Sequence, residues 1–172
     1  KLHALSRISC YMNQNKLKLL LSAFIEAQFS YCPLVWMFCS RKLNNRINRI
    51  HERGLRLVYK NSELTFEELL QKNNSFTIHH RNLQKLATLM YKIKNDFSPS
   101  MMKTIFPSQS VCYNLRYRND FLSANVKTVR YGTETISYRG PKTWQLVPDD
   151  IKSSKSLGEL KSKIKKMVAK GM

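Results

Sequence analysis

Acidic residues are scarce in this chain: its 172 residues hold 11 Asp and Glu against 30 Lys and Arg, for a formal net charge of +19. An acidic protein is excluded at once. Glycine and proline are also sparse, at five each, while 42% of the residues are hydrophobic, so wholesale disorder is not expected and a core can form. No apolar run approaches the roughly 18 residues that a spanning helix needs. Lys1 onward also lacks the charged, then apolar, then small order of a secretory signal. The expectation is a soluble intracellular protein of cytoplasm or nucleus, not secreted and with no membrane partner. Cys10, Cys32, Cys39 and Cys112 form no tight pairs, and without secretory context they read as reduced core thiols.

Chemistry-bearing motifs are missing too. His3, His51, His79 and His80 do not stand at zinc spacings from any cysteine, and Cys32 to Cys39 is too loose for a CxxC pair. There is no P-loop, no GxGxxG and no GxSxG. Asp149-Asp150 is the one adjacent acidic pair of the kind that holds divalent metals for phosphoryl transfer. It follows Pro148 and precedes a polar IKSSKS run, which fits an exposed turn or a helix cap better. No catalytic residue, metal or cofactor is expected.

What is present is charge in register. Residues 1–60 carry a net +9, 61–100 only +1, 101–140 +4 and 141–172 +5. Leu2, Leu5 and Ile8 follow helical spacing as though their helix began further upstream, as in a piece of a longer protein. Asn13 or Asn15 then caps a helix with Leu17, Leu20, Leu21, Phe24, Ala27 and Tyr31 on its apolar side, which Pro33 ends or kinks. FSYCPLVWMF, the most apolar stretch, is expected at the centre of the first core around Trp36.

The next segment, RKLNNRINRIHERGLRLVYK, is the most informative. Lys42, Arg46, Arg49, Arg53, Arg56 and Lys60 are separated by 4, 3, 4, 3 and 4 residues, a mean of 3.6, and so form one helical stripe. Leu43, Ile47, Ile50 and Leu57 run parallel to it one residue on, predicting a buried seam that the basic row borders. Gly54 interrupts this apolar row at a point where a close neighbour fits. With only Glu52 as a local countercharge, the stripe suits contact with phosphates, the plainer alternative being a solvated face whose aliphatic stems cover the seam.

Thr65 and Glu68 have capping-box spacing before Leu69 and Leu70. Thr77 opens a longer helix with Leu83, Leu86, Met90, Ile93 and Phe97 on one face, stopped by Ser98-Pro99. Beyond Pro107 the pattern alternates. Val111, Tyr113, Leu115 and Tyr117 predict a half-buried strand with Arg116 and Arg118 on its other side, and Val126–Tyr131 and Thr135–Tyr138 predict shorter ones. Aromatic and basic residues interleaved on strands suit single-stranded nucleic acid, but here they face opposite ways, as in a core strand with a wet side. Gly140-Pro141 is expected to turn the chain, Trp144 to bury, and Ser156 with Glu159 to cap a last helix on Leu157, Leu160, Ile164 and Val168. Lysines 161, 163, 165, 166 and 170 form that helix's other side. The fold class is therefore α+β, mostly α. A helical bundle over 1–98 is followed over 99–172 by a small β-containing part and a basic C-terminal helix.

The run LSRISCYMNQNKLKLLLSAFIEAQFSYCPLVWMFCSRKLNNRINRIHERGLRLVY, followed in order by FEELL, IHHRNLQKLATLMYKIKND, GPKTWQLVPDDIK and SLGELKSKIKK, closely resembles the C-terminal part of reverse transcriptases from jockey-like non-LTR retrotransposons. The resemblance implies a helical thumb-like region over 1–98 and a C-terminal extension over 99–172, downstream of a polymerase palm. The palm's metal-binding aspartates lie upstream in that family. Asp149-Asp150 does not match their context, so no catalytic residue carries over and the chain by itself is expected not to polymerise DNA. The implied partners are the backbone of an RNA–DNA hybrid, RNA or DNA, bound without sequence preference, and the upstream palm and fingers. The stripe Lys42 to Lys60 is the surface suited to the first role. A protein-interaction or scaffold module, packing on the palm or self-associating, is the rival, and a decayed element copy a third reading.

Overall fold

The computed structural model describes residues 1–108, 120–129 and 131–170, the last three by backbone alone. Its helices are α1 Leu2–Ile8, α2 Gln14–Leu21, α3 Ala27–Ser30, α4 Pro33–Trp36, α5 Arg41–Tyr59, α6 Phe66–Lys72, α7 Ile78–Lys94, α8 Met101–Ile105, α9 Ile136–Gln145, α10 Asp149–Lys152 and α11 Leu157–Lys170. The fold is mostly α. Two compact units divide the chain, Lys1–Arg81 and Asn82–Met172, and α7 passes from one to the other. Among the described residues no helix is long and apolar enough to cross a membrane.

In the first unit Leu5, Leu17, Leu21, Ile25, Leu55, Val58, Leu69 and Leu70 make one buried cluster. Local signals start two of its helices as expected. The Asn13 side chain accepts from the Lys16 N–H at 3.1 Å, capping α2, and both halves of the Thr65–Glu68 capping box are present at α6. Between α2 and α3 the chain passes through a π turn, Ser22–Glu26. Its i→i+5 bonding puts more residues into the turn, so Ile25 follows Leu21 into the core and Phe24 is left exposed. Gly54 sits under Leu21, whose Cδ1 would be 2.5 Å from an added Cβ, so the close neighbour expected there is α2.

The FSYCPLVWMF segment is not the core's centre. Met37 and Phe38 bury, but Tyr31 and Val35 are exposed and Trp36 is half-buried, its indole N–H donating to the Tyr31 carbonyl at 3.1 Å. The chain reverses here through Cys32 at φ 40° and restarts at Pro33, the first residue of α4, and so tight a turn cannot face inward throughout. Cys10 and Cys32 are free and exposed rather than core thiols, and Cys39 is half-buried.

The small β part expected in the second unit is not shown at its described positions. Among the described residues the sole β pairing is an isolated antiparallel bridge between Ser108 and Phe121. The strand expected at Val111, Tyr113, Leu115 and Tyr117 lies outside the described residues. Val126–Tyr131 contains no strand at its described positions, and Thr135–Tyr138 opens α9, where the Thr135 carbonyl accepts from the Tyr138 and Arg139 N–H groups. Gly140-Pro141 does not turn the chain either but lies inside α9. Tertiary packing outweighs propensity at both places. Gly140, Pro141 and Trp144 form the buried face of α9, and the Phe106 ring comes so close that a Cβ on Gly140 would stand 3.0 Å from it.

Trp144 buries as expected, with its indole N–H donating to Asp120 at 2.7 Å and its ring edge-on to Phe121. Leu86, Met90 and Ile93 of α7 are buried, while Phe97, expected on the same face, lies past the helix end and is exposed. Tyr91 donates to the Ser154 carbonyl at 2.7 Å. Ser156 caps α11 through the Glu159 N–H, and Glu159 reaches back to the Lys155 N–H rather than completing the box. Leu160 and Ile164 are buried under α11, Lys161, Lys165 and Lys166 are exposed, and Lys163 pairs with Glu159 at 2.6 Å.

Candidate nucleic-acid interface

The basic stripe lies on α5, which begins after Ser40 and ends at Lys60, itself in the left-handed region at φ 49°. The start is held by the Asn44 side chain, which donates to the Cys39 carbonyl at 3.3 Å. His51, Gly54, Leu55 and Val58 form the buried line of the helix. At 100° per residue that line stands about 170° round from the mean direction of Lys42, Arg46, Arg49, Arg53, Arg56 and Lys60. The basic row is thus diametrically opposite the core, not alongside it.

The predicted seam of Leu43, Ile47, Ile50 and Leu57 is correspondingly displaced. Leu43 is 46% and Ile50 39% exposed, and Ile47 and Leu57 are half-buried, on a flank between the core and the basic row. Two residues that hydropathy discounts take the core line instead. Gly54 admits Leu21, and His51 is wholly buried because it has a polar partner.

That partner is Glu26, at the end of the π turn. His51 Nε2 lies 3.2 Å from Glu26 Oε1, and Arg81 donates to both carboxylate oxygens, Nη1 to Oε2 at 3.0 Å and Nη2 to Oε1 at 3.2 Å. The hydrogen bond with His51 is the largest influence on the carboxyl; burial opposes it, the Arg81 guanidinium reinforces it, and together they hold the carboxyl at about 2 against an ordinary 4.5. Three segments far apart in sequence are pinned together by this cluster. His51 is fully enclosed, and the cluster holds α5 in rotation. Sequence reasoning missed Glu26 and Arg81. A lone Glu among the apolar residues of SAFIEAQF was the available signal.

The six basic residues are not equivalent. Lys42, Arg46, Arg49, Arg53 and Lys60 are exposed and make no ion pair among the described residues. Arg56 is half-buried, paired with Glu52 at 2.8 Å and donating to the Ser62 carbonyl. It braces the end of α5 against the following loop, where Asn61 Oδ1 accepts from the Glu63 and Leu64 N–H groups. Between α1 and the C-terminal half of α5 lies an open groove of about 440 Å³, lined by Leu2, His3 and Ser6, by Arg53, Arg56, Leu57 and Lys60, and by Asn61 and Ser62.

Asp149 and Asp150, expected in an exposed turn or a helix cap, are exposed and lie in the first turn of α10 after Pro148, with Asp149 paired to Lys152 at 3.4 Å. Among the described residues no three His, Cys, Asp or Glu side chains are grouped to hold a metal. No protein family matches the chain, and neither a curated protein nor a solved structure matches it.

Proposed function

We propose that α5 grips the sugar–phosphate backbone of a primer–template duplex, as the thumb-like, non-catalytic C-terminal part of a retrotransposon RNA-directed DNA polymerase. One observation carries the reading: Lys42, Arg46, Arg49 and Arg53 are exposed, without ion pairs among the described residues, in one line opposite the buried face of their helix. The row from Lys42 to Arg53 is about 16 Å long at the α-helical rise. Like charges three and four residues apart repel by a few tenths of a kcal/mol per pair, a cost that an approaching row of phosphates reverses. Contacts of this kind position a duplex without reading its bases.

The test is fluorescence anisotropy of a labelled RNA–DNA primer–template across a salt series, beside a variant with Arg46, Arg49 and Arg53 changed to Gln. With five phosphates engaged the wild-type log–log slope is about −4 to −5, and the variant loses about three units of it. A flat salt response, or equal binding by the two proteins, overturns the reading.

Exposed Leu43 and Ile50 favour a second reading, a surface that packs on a protein partner or on another copy of the chain. Sedimentation equilibrium of a Leu43→Ser, Ile50→Ser variant addresses it. Loss of self-association with unchanged duplex affinity supports that role for the flank, whereas a wild type that stays monomeric removes self-association.

A further inference from the structure

We propose that the groove between α1 and α5 receives one unpaired nucleotide next to the duplex, its phosphate between Arg53 and Lys60 and its base against Leu2 and Leu57; this rests on the nucleic-acid reading of α5. The groove's chemistry is mixed in the way a nucleotide requires. Leu2 and Leu57 supply an apolar wall, Arg53 and Lys60 supply cations with no ion pair, and no carboxylate lines it, all among the described residues. Its volume, about 440 Å³, falls within the range of small-ligand pockets, too small for a helix or a strand pair.

Arg53 belongs both to the exposed row and to the groove lining, so a strand whose phosphates follow Lys42, Arg46 and Arg49 arrives at the groove mouth. Bases inside a duplex are stacked and paired, so only an unpaired one can turn its face to Leu2 and Leu57. Arg56 faces the groove too, but its pairing with Glu52 and the Ser62 carbonyl assigns it to the wall rather than to the ligand. The carbonyl end of α5 opposes an anion here, but only by a few tenths of a kcal/mol at an exposed site, against two full cations.

The experiment compares a blunt RNA–DNA duplex with the same duplex carrying a three-nucleotide single-stranded overhang, by anisotropy at fixed salt. Two variants accompany the wild type. Ser6→Trp fills the groove from an exposed position of α1, and Lys60→Asn removes a cation while tolerating the left-handed backbone that residue 60 adopts. The wild type is expected to bind the overhang duplex at least about tenfold more tightly than the blunt one, and Ser6→Trp to lose that preference while binding the blunt duplex unchanged. Lys60→Asn should flatten the salt slope for the overhang duplex by about 0.7. Blunt binding with no overhang preference, or a preference that Ser6→Trp retains, overturns the groove assignment and leaves the backbone reading standing. Absence of binding to either duplex overturns both.

Discussion

Glu26 Oε1 lies 3.2 Å from His51 Nε2, and this pair joins the π turn after α2 to the middle of α5. It sets the rotation of α5, and with it the direction in which the basic row faces. Replacing Glu26 by Gln leaves Arg81 and the enclosed His51 without their carboxylate and should cost about 3 kcal/mol, seen as a lowered midpoint in urea unfolding.

The same carboxyl gives a signed pH dependence. Its folded value of about 2 lies below the ordinary 4.5, so the unfolded chain binds the proton more readily and the stabilisation is fully present above about 4.5. It is lost as pH falls towards 2. The stability gap between wild type and Glu26→Gln should therefore close progressively between pH 4.5 and 2; a gap independent of pH over that window contradicts the assignment.

Gly54 and Leu21 make a second signed test. In the wild-type core, Gly54→Ala drives a methyl into Leu21, and overpacking of 1–3 kcal/mol should exceed the gain in helix propensity of about 1 kcal/mol. In a Leu21→Ala background the obstruction is gone. There Gly54→Ala should become stabilising, by about 0.5–1 kcal/mol, in a double-mutant cycle of thermal melts.

Glu52 engages one of the six basic side chains, through its 2.8 Å pair with Arg56. Glu52→Gln should release Arg56 and remove a negative charge from the edge of the row. Duplex affinity is then expected to rise, with the salt slope steeper by about one unit, whereas Arg49→Gln should flatten it by about the same amount. A weaker Glu52→Gln complex contradicts the proposed contact surface.

Asp120 anchors the second unit's tryptophan. Its carboxylate accepts from the Trp144 indole at 2.7 Å and from Lys94 at 2.9 Å; burial is the largest single influence and raises its pKa, but these bonds and the charges of Lys94 and Lys152 together outweigh it and hold the pKa below the ordinary value. Asp120→Ala orphans a buried N–H and should cost about 1–3 kcal/mol. Trp144 emission should stay blue-shifted at neutral pH in the wild type, the half-buried Trp36 contributing the redder component.

Much of this architecture was legible in the residues themselves. Asn13, Thr65 with Glu68, and Ser156 announced helix starts, because a cap is a bond between groups two or three positions apart. The basic row was legible too, because the 3.6-residue repeat is a property of one helix alone. The Thr135–Tyr138 strand and the Gly140-Pro141 turn were misread for the converse reason: what makes them α9 is the burial of Gly140, Pro141 and Trp144, with Phe106 against the glycine.

By itself, then, the sequence determined the chain's charge and its helical periods and caps, since each depends on composition or on neighbours within a turn. Only the tertiary structure decided which way α5 is turned. Leu21 seated over Gly54, and Glu26 binding His51 and Arg81, are pairings between positions 25 to 55 residues apart, and no local pattern records them. Those contacts bury a glycine and a histidine in place of Leu43 and Ile50. In doing so they aim the cations directly away from the core, into solvent.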